Sequence, residues 1–353
     1  MSDMNGQSYL SWMSQNTPTE WTNDSGIMSQ LDSALENGAV GGTTNPPLSY
    51  EALQADSDLY SAQLARLRRD CSDDEFAVEA MGLVVRNIAE KLLPMHKEKG
   101  SYYGCIRAQV KPSLRDDAEG MLAMGKLFAS WGENIMVKIP VTEAGIWVLE
   151  ELAAQGIKTT PTINTTMSQA VAAAEAYERG YARAVKNGVT PAPSTEAIVH
   201  GRLQDYLAKL CTERGINLMP GDLDWASIAL LKRSHQIFTE KKYKSVIMGA
   251  AFRCAMHVEQ LVGGLFCSTI HPKVQKMVEA ADAAGTIKRE SCIDQPADPI
   301  AVARVLKAIP EYRLAYEPDA IKPRDFSAFG SNKMTLDFFD LEGWQKIAAL
   351  RQG

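Results

Sequence analysis

Short apolar runs closed by proline or glycine alternate along this chain with longer stretches of helical periodicity. "GAVGGTTNPP" (38–47), "YYGCIRAQV" (102–110), "NIMVKIPV" (134–141), "IKTTPTIN" (157–164), "KSVIMGAAF" (244–252) and "GLFCSTI" (264–270) read as strands, because β-branched and aliphatic residues cluster there between turn formers. "EWTND" (20–24) and "TEAIVH" (195–200) are the faintest of the set and are placed as the first and sixth strands. The helices between them carry punctuation. Thr142 is placed to cap the helix opening "TEAGIWVLEELAAQ", and Gly156 sits just past its end. Thr166 and Gln169 fit a capping box, with Gly180 as the stop of that helix. Strand-then-helix alternation at this spacing predicts a parallel sheet with right-handed crossovers. The number of units favours an α/β protein of the closed (β/α)8 TIM-barrel type, with an open sheet as the alternative.

No linker rich in Pro, Gly or Ser splits the chain, so residues 1–353 are read as one barrel domain with an N-terminal extension over 1–19. After about residue 290 the pattern changes. "RDFSAFGSNKMTLDFFDLEGWQKIAAL" carries five aromatics and ends in a short amphipathic helix. This C-terminal extension, 290–353, is expected to pack across the barrel or at a subunit interface.

Composition narrows the partners. Hydrophobic residues make up 45% and charged ones 23%, as in an ordinary soluble globular protein. A net charge of −6 gives no reason to expect nucleic acid or an anionic membrane, so an anionic ligand must be held by local cations. No run approaches ~18 uninterrupted apolar residues, and the N-terminus lacks the basic-then-apolar order of a signal peptide. No membrane partner is expected, and the localisation read is cytoplasmic. Six scattered cysteines without a C-x-x-C pair suit reduced thiols. Five histidines without paired ligand spacing predict no metal, and the lack of a glycine-rich phosphate loop predicts no nucleotide cofactor.

The candidate chemistry begins at Lys138, alone in the aliphatic run of "ENIMVKIPVTEAG". Lysine is almost never fully buried without a partner or a task. Alternation places Met136, Lys138 and Pro140 on one strand face and Val137 and Ile139 on the other. One reading is structural, an edge lysine or one paired with a buried carboxylate. The other follows from the barrel, whose inward face carries catalytic groups toward the C-terminal strand ends. Desolvation there lowers the amine pKa and frees a neutral nucleophile that attacks a carbonyl to form a Schiff base. Asn45 stands at a strand end before Pro46, Arg253 follows a strand, and Arg202 opens a helix, where anions are favoured. Each of these three is weak alone, since a turn or a solvated arginine has the same appearance in sequence.

As an ordered set with these gaps, "TTNPPL", "VKIPVTEAG", "GRLQDY" and "VIMGAAFR" resemble the transaldolase family, class I Schiff-base aldolases on a (β/α)8 barrel. The resemblance runs from about Trp21 to about Lys276. It implies that Lys138 forms the Schiff base with a ketose donor. Asp24 matches the first-strand aspartate that moves the proton of the hydroxyl next to the broken bond, with Asn23 as the alternative register. Asn45 matches an asparagine that hydrogen-bonds the donor, and Thr162 a threonine that helps hold the catalytic water. Arg202 and Arg253 match the arginines that bind the sugar phosphate. Sugar-phosphate substrates and a homodimer are implied in the same way.

Several positions depart from the family pattern. Gln109 stands where most transaldolases carry a glutamate that activates the water; glutamine cannot take up a proton but can orient a water. Glutamine there resembles the fructose 6-phosphate aldolase subgroup, which cleaves the ketose outright, yet that subgroup's fifth-strand tyrosine is replaced by Thr165. Thr160 replaces an asparagine beside the lysine, and Ala197 and Ala251 replace pocket serines. Strand parity suggests Asn164 and Thr166 as replacement polar groups. The expected function is transfer of a dihydroxyacetone unit between sugar phosphates. The alternatives are a lyase that releases that unit and a silent sugar-phosphate-binding module.

Overall fold

The computed structural model describes residues 7–68 and 71–352; residues 1–6 of the expected N-terminal extension lie outside the described residues. Eight parallel strands run β1 (Glu20–Asp24), β2 (Gly41–Thr43), β3 (Cys105–Gln109), β4 (Ile135–Pro140), β5 (Thr159–Thr162), β6 (Thr195–Ile198), β7 (Val246–Gly249) and β8 (Cys267–Ile270). Each falls inside a segment expected from the apolar pattern, the two faintest included. Six strands form a continuous sheet in the order β5-β4-β3-β2-β1-β8, and β6 and β7 pair with each other. Isolated bridges Thr159↔Ser194 and Asn164↔Ile198 on one side, and Ile247↔Phe266 on the other, close the ring into a (β/α)8 barrel. The β5–β6 seam is thin for a chemical reason. Thr159 donates across it to the Pro193 carbonyl at 3.4 Å. Pro161, next in the same alternation, has no N–H to follow.

Helix ends follow the sequence at two points, in part at a third, and not at the fourth. Thr142 caps the helix Glu143–Ala154 by accepting from Gly145, and Gly156 takes a φ of +70° just beyond it. Thr166 Oγ1 accepts from the Gln169 N–H at 3.2 Å, while Gln169 Oε1 accepts from the Thr165 N–H at 3.0 Å, one residue short of a strict box. Gly180 is not a stop. Its helix continues over Met167–Lys186, and a Cβ at Gly180 would collide with the Glu150 carbonyl and Ala153 of the neighbouring helix. The glycine therefore serves close helix–helix approach.

Both ends of the described chain pack on the barrel. The helix Tyr9–Asn16 buries Tyr9, whose hydroxyl donates to the Lys288 carbonyl at 3.0 Å. The C-terminal extension lies over the loops that follow β2, β3, β5 and β6, which is the catalytic end of such a barrel. Its helix Gly330–Phe339 pairs Asp337 with Arg115 at 2.9 Å and receives the Thr165 hydroxyl on Asn332 at 2.6 Å. Gly343, in the following π-turn Asp340–Trp344, fits against Pro46 and Pro47 with no room for a side chain. Among the described residues no helix is long and apolar enough to cross a membrane.

Candidate active site

Lys138 projects into the lumen from β4, in register with Gln109 of β3 on one side and Thr160 of β5 on the other. It is 6% exposed, and its Nζ donates to the Thr44 carbonyl at 2.9 Å. Among the described residues no carboxylate lies within ion-pair distance of it, so the structural reading of a paired lysine has no partner here. Burial draws its amine down to about 8, opposed by Asp24 and reinforced by the cation of Arg107. The amine faces a cavity of about 60 Å³ whose lining includes Asp24, Asn45, Thr162, Arg202 and Phe339. Asp24, Asn45, Arg202 and Ala251 are shared with an outer cleft of about 310 Å³, where Arg253 and Lys273 join the lining.

Local structure explains how these groups arrive. Asp24 ends β1 pointing inward and accepts from the Thr43 hydroxyl at 2.6 Å. Asn23 turns outward, where its side-chain oxygen accepts from Gln275 at 3.0 Å, so of the two registers it is Asp24 that faces the lysine. Asn45 is the N-cap of the helix Pro46–Ala55, its Oδ1 accepting from Leu48 at 3.0 Å, and Pro46 fixes the turn out of β2. The Thr162 hydroxyl is buried without a hydrogen-bond partner, and both amide atoms of buried Gln109 are equally unpartnered. Orphaned polar atoms on the strands either side of β4 are rare in a finished interior and mark room for a polar ligand or water.

Two arginines converge on the same rim. Gly201 lets the start of the helix His200–Arg214 press against the Ala251 carbonyl, where any Cβ would collide. Arg202 then lies with its guanidinium 4.6 Å from the Phe338 ring and 5.4 Å from that of Phe339. Arg253 donates to both oxygens of Asp205 at 2.9 and 2.6 Å, and Arg202 stands 3.9 Å from the same carboxylate. Two cations against one acid leave net positive charge for an anion. Behind them the Arg253 N–H donates to His257 Nδ1 at 3.3 Å, and His257 Nε2 meets Asp224 at 3.0 Å. Asp224, Cys254 and His257 have ligand atoms within 4.8 Å of one another, but these hydrogen bonds already occupy both imidazole nitrogens. The trio supports the Arg253 backbone.

Three expected polar groups sit elsewhere. Thr160 lies a layer lower, 3.0 Å from the Thr195 hydroxyl. Asn164 leaves the lumen because Ile163 adopts φ +51°, which breaks the strand alternation, and its amide donates to buried Glu196 at 2.8 Å. Thr166 serves as a helix cap. Phe339, which the sequence reading left to general packing, lines the inner cavity, and Ile163 packs against it and Leu336.

A buried lysine with a depressed pKa, facing a carboxylate at the C-terminal rim of a (β/α)8 barrel beside a positive pair, defines a lysine-centred barrel site. Residues 22–313 match the model of the Transaldolase/Fructose-6-phosphate aldolase family, and the chain belongs to that family. It is 32% identical over 162 residues to a transaldolase of Neisseria gonorrhoeae, covering 45% of this chain and 46% of that protein. It is 29% identical over 214 residues to a transaldolase of Thiobacillus denitrificans, covering 58% of each. A transaldolase of Campylobacter jejuni is 30% identical over 157 residues, 44% of this chain and 47% of the relative. The chain thus spans about half the length of the curated relatives it matches.

Proposed function

We propose that the protein transfers a dihydroxyacetone unit from a ketose phosphate to an aldose phosphate through a Schiff base on Lys138. The neutral amine adds to the ketose carbonyl, and loss of water gives the iminium. Asp24 takes the proton of the hydroxyl next to the scissile carbon–carbon bond. That bond breaks, its electron pair moves to the iminium as an enamine, and the first aldose phosphate leaves. Attack of the enamine on an incoming aldose phosphate reverses these steps, and water then releases the product ketose. Arg202 and Arg253 hold the phosphate, Asn45 the donor hydroxyls, and Thr162 with Gln109 the water. The observation that carries this reading is the lysine itself, desolvated, with a single protein acceptor and a cavity in front of it to which Asp24, Asn45, Thr162 and Arg202 contribute. Borohydride trapping with fructose 6-phosphate tests it: a reduced adduct mapped to Lys138 is expected. No adduct with either fructose 6-phosphate or sedoheptulose 7-phosphate would overturn it.

One observation favours a second reading. With Gln109 in place of a carboxylate, no third-strand group takes a proton from the water, though its free amide can orient one. On that reading the enamine is protonated and hydrolysed, releasing dihydroxyacetone. Turnover that depends on an aldose phosphate acceptor supports transfer; turnover without one supports the lyase.

A further inference from the structure

The middle of the barrel holds a second cation that this reaction has not used. Arg107, at the centre of "GCIRAQV", is fully buried. Its donors reach only neutral atoms: the Cys105 carbonyl at 3.2 Å, the Thr195 hydroxyl at 3.4 Å and the Cys267 sulfur at 3.8 Å. Among the described residues no carboxylate lies within ion-pair distance of it. A guanidinium does not shed its proton in a protein, so the lumen carries a permanent positive charge. Below it the acid Glu20 is engaged by the hydroxyls of Tyr102, at 2.9 Å, and Tyr103.

The strand register sets how this charge meets the lysine. Arg107 lies beside Met136 and Gln109 beside Lys138, so Arg107 stands one alternation lower, roughly 7 Å along the strand, on the same inward face. The charged groups around Lys138 are Asp24 from β1, Arg107 from β3 and Arg202 from the helix His200–Arg214. β2 contributes the Thr44 carbonyl, while β5 to β8 and the C-terminal extension present Thr162, Ala197, Met248, Thr269 and Phe339, none of which titrates. Arg202 shares Asp205 with Arg253, and the acid below Arg107, Glu20, is already held by two tyrosine hydroxyls.

We propose that Arg107 is a positioning residue for catalysis: its permanent charge inside the lumen, one alternation below Lys138, disfavours the protonated amine and so raises the neutral, nucleophilic fraction of Lys138 at working pH. The proposal rests on Lys138 being the nucleophile. It also gives a reason for an otherwise costly buried arginine, since an apolar residue in its place would be free of the desolvation cost.

The test compares Arg107→Met, Arg107→Lys and the unmodified full chain over pH 6–10. Two readouts are taken at Lys138: the rate of borohydride trapping with fructose 6-phosphate, and the rate of modification by trinitrobenzenesulfonate, mapped by mass and independent of any imine. The unmodified protein is expected to titrate near 8 in both. In Arg107→Met the midpoint rises by about one pH unit, so trapping at pH 7 falls about tenfold and recovers at pH 10. Arg107→Lys keeps the charge and stays within a few tenths of a unit of the unmodified protein. Arg107→Gln, still able to bond Thr195 and the Cys105 carbonyl, takes the place of the apolar variant if that one does not fold. A folded neutral variant with an unmoved midpoint overturns the proposal, as does an equal loss in Arg107→Lys and Arg107→Met. A modification midpoint that follows residue 107 without any trapped adduct supports the electrostatic role and overturns the Schiff-base reading instead.

Discussion

Lys138 in the barrel lumen and Lys232 on its flank are both buried enough to draw their amines down to about 8. Lys232 even borders the larger space, a cleft of about 960 Å³ between the helix Asp222–Lys241 and the C-terminal extension. Yet its three hydrogens go to Gln260 Oε1 at 2.9 Å, the Cys292 carbonyl at 2.6 Å and the Gln295 carbonyl at 2.7 Å. It is a strut tying the extension to the barrel. Lys138 has one such acceptor, and beside it lie a carboxylate and polar atoms without partners. Neither a depressed pKa nor an adjacent cavity distinguishes the two. Unfilled hydrogen-bonding capacity with a complementary polar wall does.

The comparison is broken most directly by exchanging each lysine for methionine. Lys138→Met is expected to lower kcat/KM by at least about 1,000-fold and to abolish the trapped adduct. It should also stabilise the fold at neutral pH. The folded amine titrates near 8 against an ordinary 10.5, so the native state holds fewer protons. The resulting cost is fully present below pH 8 and gone above about 10.5, a gain of about 3 kcal/mol at pH 7 on removal. Urea unfolding at pH 7 and 10 checks this, and equal stabilisation at both pH values would contradict it.

A smaller loss is expected at Asp24→Asn, about 100- to 10,000-fold in kcat, with the Lys138 adduct still trapped because imine formation precedes the proton transfer. Loss of the adduct as well would give Asp24 a part in binding rather than in cleavage. Lys232→Met should do the reverse of Lys138→Met. Three acceptors are left unpaired, which offsets the relief of the buried amine and turns the gain seen for Lys138→Met into a net loss, while activity per folded molecule is unchanged. If it instead removes activity without lowering the unfolding midpoint, the strut assignment is wrong.

The smallest effect concerns Glu196, buried with one oxygen accepting from the Asn164 amide while its other oxygen and Asn164 Oδ1 are both unpartnered. Burial raises the carboxyl pKa well above its ordinary value. Stability from this group is therefore fully present below the ordinary carboxylate pKa near 4.5 and is lost as pH rises through the folded value. Glu196→Gln should melt within a degree or two of the unmodified protein at pH 4.5 and several degrees higher at pH 8.5. No difference between the two pH values would show that burial does not raise this carboxyl's pKa.

Much of this was legible in the chain. Apolar runs bounded by turn formers located all eight strands, since a strand buried on both faces must be apolar along its length. The lone lysine in "IMVKIP" drew attention because a cation in such a run needs a reason. The same signal stands in "GCIRAQV", where Arg107 is a cation in an apolar run. Alternation continued past Thr162 puts Asn164 in the lumen, and nothing local announces that Ile163 will turn left-handed. A β-branched residue adopts that conformation only under tertiary constraint, and its contacts with Leu336 and Phe339 come from more than 170 positions away. Gly180 misled in the same manner, because a glycine that ends a helix and one that admits a neighbouring helix are identical in sequence.

What the sequence determined alone was periodicity and residue chemistry: the strand set, the parallel architecture, and the presence of Lys138, Asp24, Arg202 and Arg253 at strand or helix ends. These follow from interactions within a few residues, which local order encodes. Only the tertiary structure decided which of those groups meet, that the C-terminal extension roofs the site with Phe339, and that one depressed lysine is saturated while the other keeps donors to spare. Those outcomes depend on distances between segments far apart in the chain, set by packing that no single segment contains.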